Sequence, residues 1–275
     1  MGSVTPQQTG GMGDSLSFAE RNIAITGGGS GIGLAIVKTL LLLGANVYVV
    51  DLMETPPKEI ADQERLHFTG KCDITKREAC RKFLDTIPGR LDGLVSCAGV
   101  CPWEGKLPSD DLYRLNMEVN VTGVWNMGTE AIRRMSEQQD LEAPGAVPGA
   151  TRSVGQGSIV NIGSGASLRG LQGLAAYTAS KHAVLGLTRS WAKDFPRLRV
   201  NAVGPGVTDT PLARGAMGGT PEDRSAVKLT QALIESIPKG RMAYPSDIAD
   251  SVVFLLSDWS SFITGQILPV NGGNF

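Results

Sequence analysis

Residues 23–33 read Ile23-Ala24-Ile25-Thr26-Gly27-Gly28-Gly29-Ser30-Gly31-Ile32-Gly33. A short apolar run leads into a cluster of glycines, and an apolar helical pattern, Leu34-Ala35-Ile36-Val37, follows at once. This order predicts a strand, a tight turn and a helix N-terminus, where backbone N–H groups and the helix dipole favour a pyrophosphate. Glycine is needed because a side chain would hold the backbone away from the phosphates. A glycine cluster alone is weak evidence, since other strand-to-helix turns also use one.

An acidic residue at the end of the next predicted strand supports the same site. The run Asn46-Val47-Tyr48-Val49-Val50 is followed by Asp51, 18 residues after Gly33. In dinucleotide sites, an acidic residue about 20 residues beyond the glycines binds the ribose hydroxyls of the adenosine. The residues Leu52-Met53-Glu54 and the turn residue Ser30 offer no cation to a 2′-phosphate. Two like charges about 4 Å apart repel by about 4 kcal/mol at intermediate dielectric, so NAD(H) is expected in preference to NADP(H).

A second pattern lies further along the chain. Tyr177 and Lys181 are four residues apart, and Ser164 precedes Tyr177 by thirteen residues. On a helix, an i, i+4 pair shares one face. Lowering a tyrosine pKa from ~10 to roughly 7 takes about 4 kcal/mol, which a cation about 4 Å away supplies and a neutral hydrogen bond does not. The spacing predicts a tyrosinate that exchanges a proton with an alcohol or ketone oxygen, although YxxxK alone also suits an ordinary amphipathic helix.

With these motifs in order, the chain resembles the short-chain dehydrogenase/reductase family over about Leu16 to Phe275. The resemblance implies a catalytic trio of Ser164, Tyr177 and Lys181, with Asn120 in a proton relay through water and Lys181. It also implies that Lys181 holds the ribose of the nicotinamide half. The expected cofactor-binding set is Gly27, Ser30, Gly31, Ile32, Gly33, Asp51, Leu52, Cys72, Asp73, Ile74, Cys97, Ala98, Gly99, Tyr177, Lys181, Pro205, Gly206, Val207, Thr208 and Thr210.

Two features depart from the family pattern. Ser96-Cys97-Ala98-Gly99 stands where the family has Asn-Asn-Ala-Gly, and we expect local rearrangement without loss of activity. Residues 138–156 form an insertion whose composition is typical of a surface loop without a core of its own. One interpretation is a tolerated, mobile insertion, and the other is a role in subunit contact or substrate access.

The coarse pattern predicts an α/β fold. Strands are expected near 22–26, 46–51, 66–70, 93–97, 157–163, 198–203 and 266–270, and helices near 31–43, 75–86, 109–136, 174–194 and 245–257. Their alternation predicts a parallel sheet covered on both faces. The resemblance adds the strand order 3-2-1-4-5-6-7, a doubly wound Rossmann fold in one domain over 16–275. Residues 1–15 are expected to be a disordered tail, and residues 207–240 a substrate lid.

Composition narrows the function classes. The 275 residues carry a formal net charge of −1, which offers no electrostatic case for nucleic acid or an anionic membrane. No run approaches the ~18 apolar residues that a membrane-spanning helix needs. The four cysteines lack paired spacing and are typical of reduced thiols in a cytoplasmic protein, and with no accompanying cluster of His we expect no metal site.

The leading hypothesis is an NAD(H)-dependent oxidoreductase (EC 1.1.1.-) that interconverts a secondary alcohol and a ketone on a small, largely apolar or cyclic substrate. The flanks of the expected substrate pocket are largely apolar, and Arg169 and Arg214 are the cations near it. The alternatives are a non-redox catalyst of the isomerase or epimerase kind with tightly bound NAD, and a non-catalytic NAD-binding protein. The resemblance further implies a homo-oligomer, either a dimer or a tetramer. The expected substrate pocket comprises Ser164, Tyr177, Trp103, Leu168, Gln172, Leu212 and Met217.

Overall fold

Seven parallel strands form the central sheet of the computed structural model, which describes residues 16–145, 149–216, 232 and 234–274. In chain order the strands are β1 (Asn22–Thr26), β2 (Asn46–Val50), β3 (Leu66–Thr69), β4 (Gly93–Ser96), β5 (Leu141–Pro144), β6 (Thr151–Gly155), β7 (Gly157–Ile162), β8 (Leu198–Pro205) and β9 (Ile267–Val270). The sheet order is β3-β2-β1-β4-β7-β8-β9, and every neighbouring pair in it is parallel. With β5 and β6 left out, this is the predicted order 3-2-1-4-5-6-7, so the predicted fold is confirmed.

Helices cover both faces of the sheet. They are α1 (Gly31–Leu42), α2 (Lys58–Ala61), α3 (Arg77–Asp85), α4 (Asp110–Met117), α5 (Gly123–Ser136), α6 (Ala175–Asp194), α7 (Pro211–Ala216) and α8 (Pro245–Leu256). Successive side chains of a strand point to opposite faces. Ile23 and Ile25 therefore pack with α1 and α8 in one core cluster, whereas Ala24 packs with α3, α5 and α6 in the other. In the described part of the chain, no helix is long and apolar enough to span a membrane.

The predicted helix over 109–136 is interrupted. A π-helical turn, Glu118–Thr122, separates α4 from α5, and Asn120 lies within it. Such turns are frequent at functional sites because they redirect side chains that a regular helix would place elsewhere. The other predicted helices agree with the structure to within two residues at each end.

The insertion over 138–156, predicted as a surface loop without a core of its own, has regular structure in its described part. It contains an antiparallel hairpin of β5 and β6, and each strand buries one apolar side chain. The Arg90 guanidinium donates to the backbone carbonyls of Gln139 and Gln156 at 2.6 Å each, which holds the two ends of the hairpin together. Arg152 donates to the backbone oxygen of Asp258 at 2.9 Å. Two strands of four and five residues leave too short a pattern to stand out among prolines and glycines.

Three expectations concern residues that the structure does not describe. The tail over 1–15, residues 146–148 of the insertion, and residues 217–231 with 233 of the lid all lie outside the described ranges.

A buried arginine joins the sheet to the end of α8. Arg199, in β8, is 6% exposed and donates to the backbone oxygens of Leu255 at 2.7 Å, of Leu256 and Ser257 at 3.1 Å each, and of Ser260 at 3.2 Å. The last carbonyls of a helix lack partners within it, and a cation there also complements the helix dipole. Burial lowers the pKa of Arg199 to about 10, which leaves the group charged at neutral pH.

The substitution Arg199→Met should destabilise the fold strongly. It keeps an apolar stem but withdraws a charged donor from four buried carbonyls. Hydrogen bonds to a charged group are worth about 1.5–3 kcal/mol each, and the Leu256 oxygen keeps no other described donor, which costs about 1–3 kcal/mol more. We expect the free energy of unfolding, measured by urea denaturation, to fall by about 3 kcal/mol or more. The matched control is Arg81→Met, which removes an exposed pair with Glu78 and should change little. A loss for Arg199→Met no greater than that of the control would contradict the assignment.

Candidate active site

The carboxyl ends of β1 and β4 are held together at the glycine turn. The Thr26 hydroxyl accepts hydrogen bonds from the backbone N–H groups of Cys97 and Ala98 at 3.1 Å each. A Cβ atom added to Gly27 would lie 2.7 Å from the Cα atom of Ala98, and one added to Gly33 would lie 2.0 Å from the carbonyl oxygen of Gly27. Both positions therefore require glycine, and the turn presents bare backbone at the start of α1.

Two carboxylates stand at one end of the site. The Asp51 carboxylate accepts hydrogen bonds from the backbone N–H groups of Gly29 at 2.9 Å and Met53 at 3.0 Å. Asp73 accepts one from the backbone N–H of Thr75 at 2.9 Å. A carboxylate oxygen has more than one acceptor site, so both groups can still accept from hydroxyl or amino groups of a ligand.

The predicted trio comes together at the carboxyl end of β7. Ser164 lies two residues after the end of β7. Its hydroxyl accepts from the backbone N–H of Ala166 at 3.1 Å and is close enough to the Tyr177 phenol to lower its pKa. Lys181 lies one turn beyond Tyr177 on α6. Its ammonium donates to the carbonyl oxygen of Ile162 at 2.9 Å and lies 5.7 Å from the centre of the Tyr177 ring.

Burial sets the protonation of both groups on α6. It raises the pKa of Tyr177 well above the ordinary value; the Cys101 thiol adds to the rise, and the hydrogen bond with Ser164 opposes it. Burial also lowers the pKa of Lys181 to about 8. In this site, then, the tyrosine pKa shifts away from the value of roughly 7 expected from the spacing. The ammonium is already bonded to a carbonyl, and at this distance its attraction does not offset the cost of burying a phenolate.

Asn120 lies behind the cleft rather than in its wall. It is fully buried, and its side-chain oxygen accepts from the backbone N–H of Val100 at 2.8 Å, while its amide donates to the Ser180 hydroxyl at 3.0 Å. A Cβ atom added to Gly99 would lie 3.1 Å from the Asn120 side-chain oxygen and 3.7 Å from the Lys181 ammonium. Asn120 therefore lies beside Lys181, where a water-mediated relay is expected.

A cleft of about 1130 Å³ runs along this edge of the sheet. Every residue predicted to hold the cofactor lies in its wall, as do Ser164, Trp103, Gln172 and Leu212. Pockets for drug-sized ligands usually have about 300–1,000 Å³, so this cleft has room for a larger ligand or for two ligands side by side.

Two residues expected at the substrate pocket do not line the cleft, and a third lies outside the described residues. Leu168 does not line the cleft, because the short 3₁₀ turn Gly165–Ser167 ends there and leaves its side chain half exposed. Arg214 is also absent from the wall and pairs with Asp209 at 2.7 Å. Met217 lies outside the described residues.

The wall also contains residues that no motif singled out. Cys101 is one of them, and burial raises the pKa of its thiol to about 12, so it stays protonated. Lys106 is another, and it follows β4; Arg169, already expected near the pocket, follows β7. Both therefore lie on the other side of β1 from Asp51 and Asp73. Most of the wall residues that the motifs missed follow the carboxyl end of a strand, and this position is the sequence signal that could have identified them. The wall residues missed by the motifs include Thr75, Val100, Cys101, Lys106, Leu171, Asn271 and Asn274.

These surroundings fit a nicotinamide dinucleotide. Bare backbone and the N-terminus of α1, whose N-cap Ser30 makes no side-chain cap bond in the described structure, suit a pyrophosphate. Asp51 and Asp73 suit an adenosine at one end. Tyr177 and Lys181 stand at the other end, where the nicotinamide half and a substrate would meet.

The comparisons with known proteins agree with the fold and identify the family. A family model described as enoyl-(acyl carrier protein) reductase matches residues 27–274. The chain is 35% identical over 269 residues to cis-4-hydroxycyclohexanecarboxylate dehydrogenase of Sinomonas cyclohexanicum, covering 94% of this chain and 97% of that protein. It is also 35% identical over 265 residues to 2,5-dichloro-2,5-cyclohexadiene-1,4-diol dehydrogenase of Sphingobium indicum, covering 92% and 96%.

Among solved structures, a putative NAD(P)-dependent gluconate 5-dehydrogenase from Beutenbergia cavernae with bound NADP superposes with a TM-score of 0.78 and 29% identity. The match covers 94% of this chain and 98% of that one. The family-model match and the relatives each span nearly the whole chain. The chain belongs to the short-chain dehydrogenase/reductase family, whose members use nicotinamide cofactors.

Proposed function

We propose that the protein is an NAD(H)-dependent oxidoreductase that interconverts a secondary alcohol and a ketone on a small, cyclic and largely apolar substrate. The observation that carries this proposal is the convergence of Ser164, Tyr177 and Lys181 on the wall of a cleft whose other end holds the glycine turn and Asp51. Burying a lysine beside a tyrosine costs folding free energy. A protein that did not use the pair in a reaction would have no reason to keep both residues buried.

Each member of the trio has a role that follows from its surroundings. Ser164 donates to the substrate oxygen and keeps it beside Tyr177. The Tyr177 phenol is protonated in the free site, so it is ready to give a proton to a ketone oxygen. Lys181 holds ribose hydroxyls and supplies positive charge near the phenol. A bound oxidised nicotinamide would supply a further positive charge and the hydride acceptor for alcohol oxidation. In that direction the Tyr177 phenol would first release its own proton through Lys181 and the relay at Asn120, and would then receive the alcohol proton.

The adenosine end of the cleft supports NAD(H). Asp51 and Asp73 place two negative charges there, and the cations among the described wall residues, Lys106, Arg169 and Lys181, belong to the other end. The nearby Lys71 is already paired with Glu54. A 2′-phosphate beside Asp51 would meet repulsion without compensation, although the Beutenbergia cavernae neighbour binds NADP on the same fold.

The substrate end supports a cyclic alcohol. Trp103, Leu171, Leu174 and Leu212 give it apolar surface, and the two relatives described above act on ring-bearing alcohols. Lys106 and Arg169 add positive charge at this end, so an acidic group on the ring would be compatible with the pocket as well as a neutral one.

The proposal extends to assembly and location. The family resemblance implies a dimer or tetramer, and exposed aromatic rings on α5 and before β9 support one, since such surface is commonly covered by a partner: Trp125, Trp259 and Phe262. The four cysteines of the described structure are free thiols, which suits the reducing cytoplasm.

The substitution Tyr177→Phe tests the reaction class. The purified protein should reduce NAD+ in the presence of cyclic secondary alcohols, followed by the absorbance of the reduced nicotinamide. General acid–base catalysis contributes about 10²–10⁴-fold, so Tyr177→Phe should lower kcat by at least about 100-fold. Tyr113→Phe, at an exposed site on α4, serves as the control. Tight NAD+ binding by the wild type without turnover of any alcohol or ketone would favour a non-redox catalyst or a non-catalytic NAD-binding protein.

The substitution Asp51→Asn tests the cofactor preference. The wild type should use NAD+ with a kcat/KM at least about tenfold above that for NADP+, because the carboxylate repels the 2′-phosphate. Asp51→Asn should narrow this ratio by about tenfold, mainly by improving NADP+ use. Glu59→Gln removes an exposed charge on α2 that has no place in the cleft wall, and it should leave the ratio unchanged. A wild type that prefers NADP+ would refute the preference.

The protonation of Lys181 predicts the pH dependence of ketone reduction. Burial lowers its pKa from the ordinary 10.5 to about 8, so the ammonium charge is present below this pH and is lost as the pH rises through it. Because Tyr177 remains protonated in this range, the loss of the lysine charge should dominate. We expect kcat/KM for NADH-dependent ketone reduction to be level below pH ~8 and to fall above it. A level profile up to pH ~10 would show that the charge on Lys181 is not needed.

A further inference from the structure

A buried carboxylate caps the helix that carries Tyr177 and Lys181. Glu104, in the loop between β4 and α4, is 6% exposed. Its two oxygens accept hydrogen bonds from the backbone N–H groups of Ala176 and Tyr177 at 2.7 Å each. These N–H groups belong to the first turn of α6, where no partner exists within the helix. The N-cap residue Leu174 has an apolar side chain and cannot supply one, so a residue 72 positions earlier than Ala176 does.

The same carboxylate belongs to a closed ring of buried hydrogen bonds. The Asn116 amide donates to Glu104 at 3.2 Å, and the Asn120 amide donates to the Asn116 oxygen at 3.3 Å. The Asn120 amide also donates to the Ser180 hydroxyl at 3.0 Å, which in turn donates to the carbonyl oxygen of Tyr177 at 2.7 Å. The ring therefore holds Tyr177 by both its backbone N–H and its backbone carbonyl.

Glu104 cannot itself take part in the chemistry. It does not line the cleft, and both of its oxygens are engaged by backbone N–H groups. Its neighbour Trp103 does line the cleft, and a Cβ atom added to Gly173 would lie 3.1 Å from the Trp103 ring. Of two consecutive side chains, Trp103 thus lines the substrate end of the cleft, and Glu104 binds the backbone of Tyr177.

We infer that Glu104 is a positioning residue: its carboxylate fixes the first turn of α6, and so the Tyr177 phenol, relative to the substrate wall formed by Trp103. This inference rests on the proposed function for its effect on turnover. A misplacement of a reacting group by about 1 Å can cost about 100-fold in rate. Both carboxylate oxygens are needed, since the amide of a glutamine would turn a donor toward one of the two N–H groups.

The decisive variant is Glu104→Gln, and Glu130→Gln is its matched control. Glu130, on α5, is also a buried carboxylate, 7% exposed. It pairs with two exposed arginines, Arg77 and Arg133, and does not line the cleft. Both variants lose one buried charge, so both should lose stability. Below their melting temperatures, Glu104→Gln should lower kcat for alcohol oxidation by about 10- to 100-fold and leave the Kd for NAD+ within about twofold of wild type. Glu130→Gln should keep kcat within about twofold.

A second measurement does not depend on turnover. Amide hydrogen exchange of the protein without substrate should show faster exchange at Ala176 and Tyr177 in Glu104→Gln and unchanged exchange there in Glu130→Gln. If the wild type oxidises no alcohol, the proposed function fails while this arm still tests the positioning role. A kcat for Glu104→Gln within about twofold of wild type, or exchange at both amides as slow as in wild type, would overturn the inference.

Should Glu104→Gln fail to fold, Asn116→Ala tests the same ring. It removes one donor to Glu104 and one acceptor for Asn120 while leaving both backbone contacts of the carboxylate in place. A single hydrogen bond is worth about 1 kcal/mol, so kcat should fall by about fivefold with the Kd for NAD+ unchanged. An unchanged kcat in Asn116→Ala would count against the ring as a positioning device.

Discussion

A single buried hydroxyl extends the contact between β1 and β4 beyond their backbone ladder, at the point where the strand order reverses. By accepting from the backbone N–H groups of Cys97 and Ala98, Thr26 keeps the ends of β1 and β4 in contact. The chain winds outward from these two strands in opposite directions, so the loops that follow them separate and leave a crevice. The glycine turn, the carboxylates of Asp51 and Asp73, and the trio of Ser164, Tyr177 and Lys181 all line that crevice. If β1 and β4 spread apart, the backbone of Gly27 and Ala98 would no longer form its floor.

The parts that were predictable from sequence depend on neighbours along the chain. The strands over 22–26 and 46–50 are apolar runs ended by glycine or by Asp51, and such local signals need no knowledge of the fold. The approach of Lys181 to Tyr177 follows from the pitch of one helix. The place of Ser164 beside them follows from the family resemblance, because the twelve residues between Ser164 and Tyr177 show no pattern that would bring them together.

The parts that were not predictable depend on contacts between distant segments. Glu104 meets the backbone of Tyr177 across 73 positions, and no periodicity connects the two. The hairpin of β5 and β6 is held largely by Arg90, whose partners are carbonyls and leave no trace in the sequence. The pKa of Tyr177 is raised, whereas the spacing to Lys181 predicts that it is lowered. The reason is related: the cost of burying a phenolate depends on everything packed around the ring, and the spacing along one helix carries no information about it.

The loop that contains Trp103 and Glu104 links two properties that enzymes often change separately. In many enzymes, loops over a rigid scaffold can vary in length and alter the substrate range without disturbing the catalytic groups. Here a deletion between Gly99 and Glu104 would reshape the pocket and also withdraw the cap from α6. By contrast, no described residue of the hairpin of β5 and β6 lies in the cleft wall. Divergence in substrate preference within this lineage is therefore expected to proceed by exchange of side chains in that loop, and changes of length to accumulate in the hairpin.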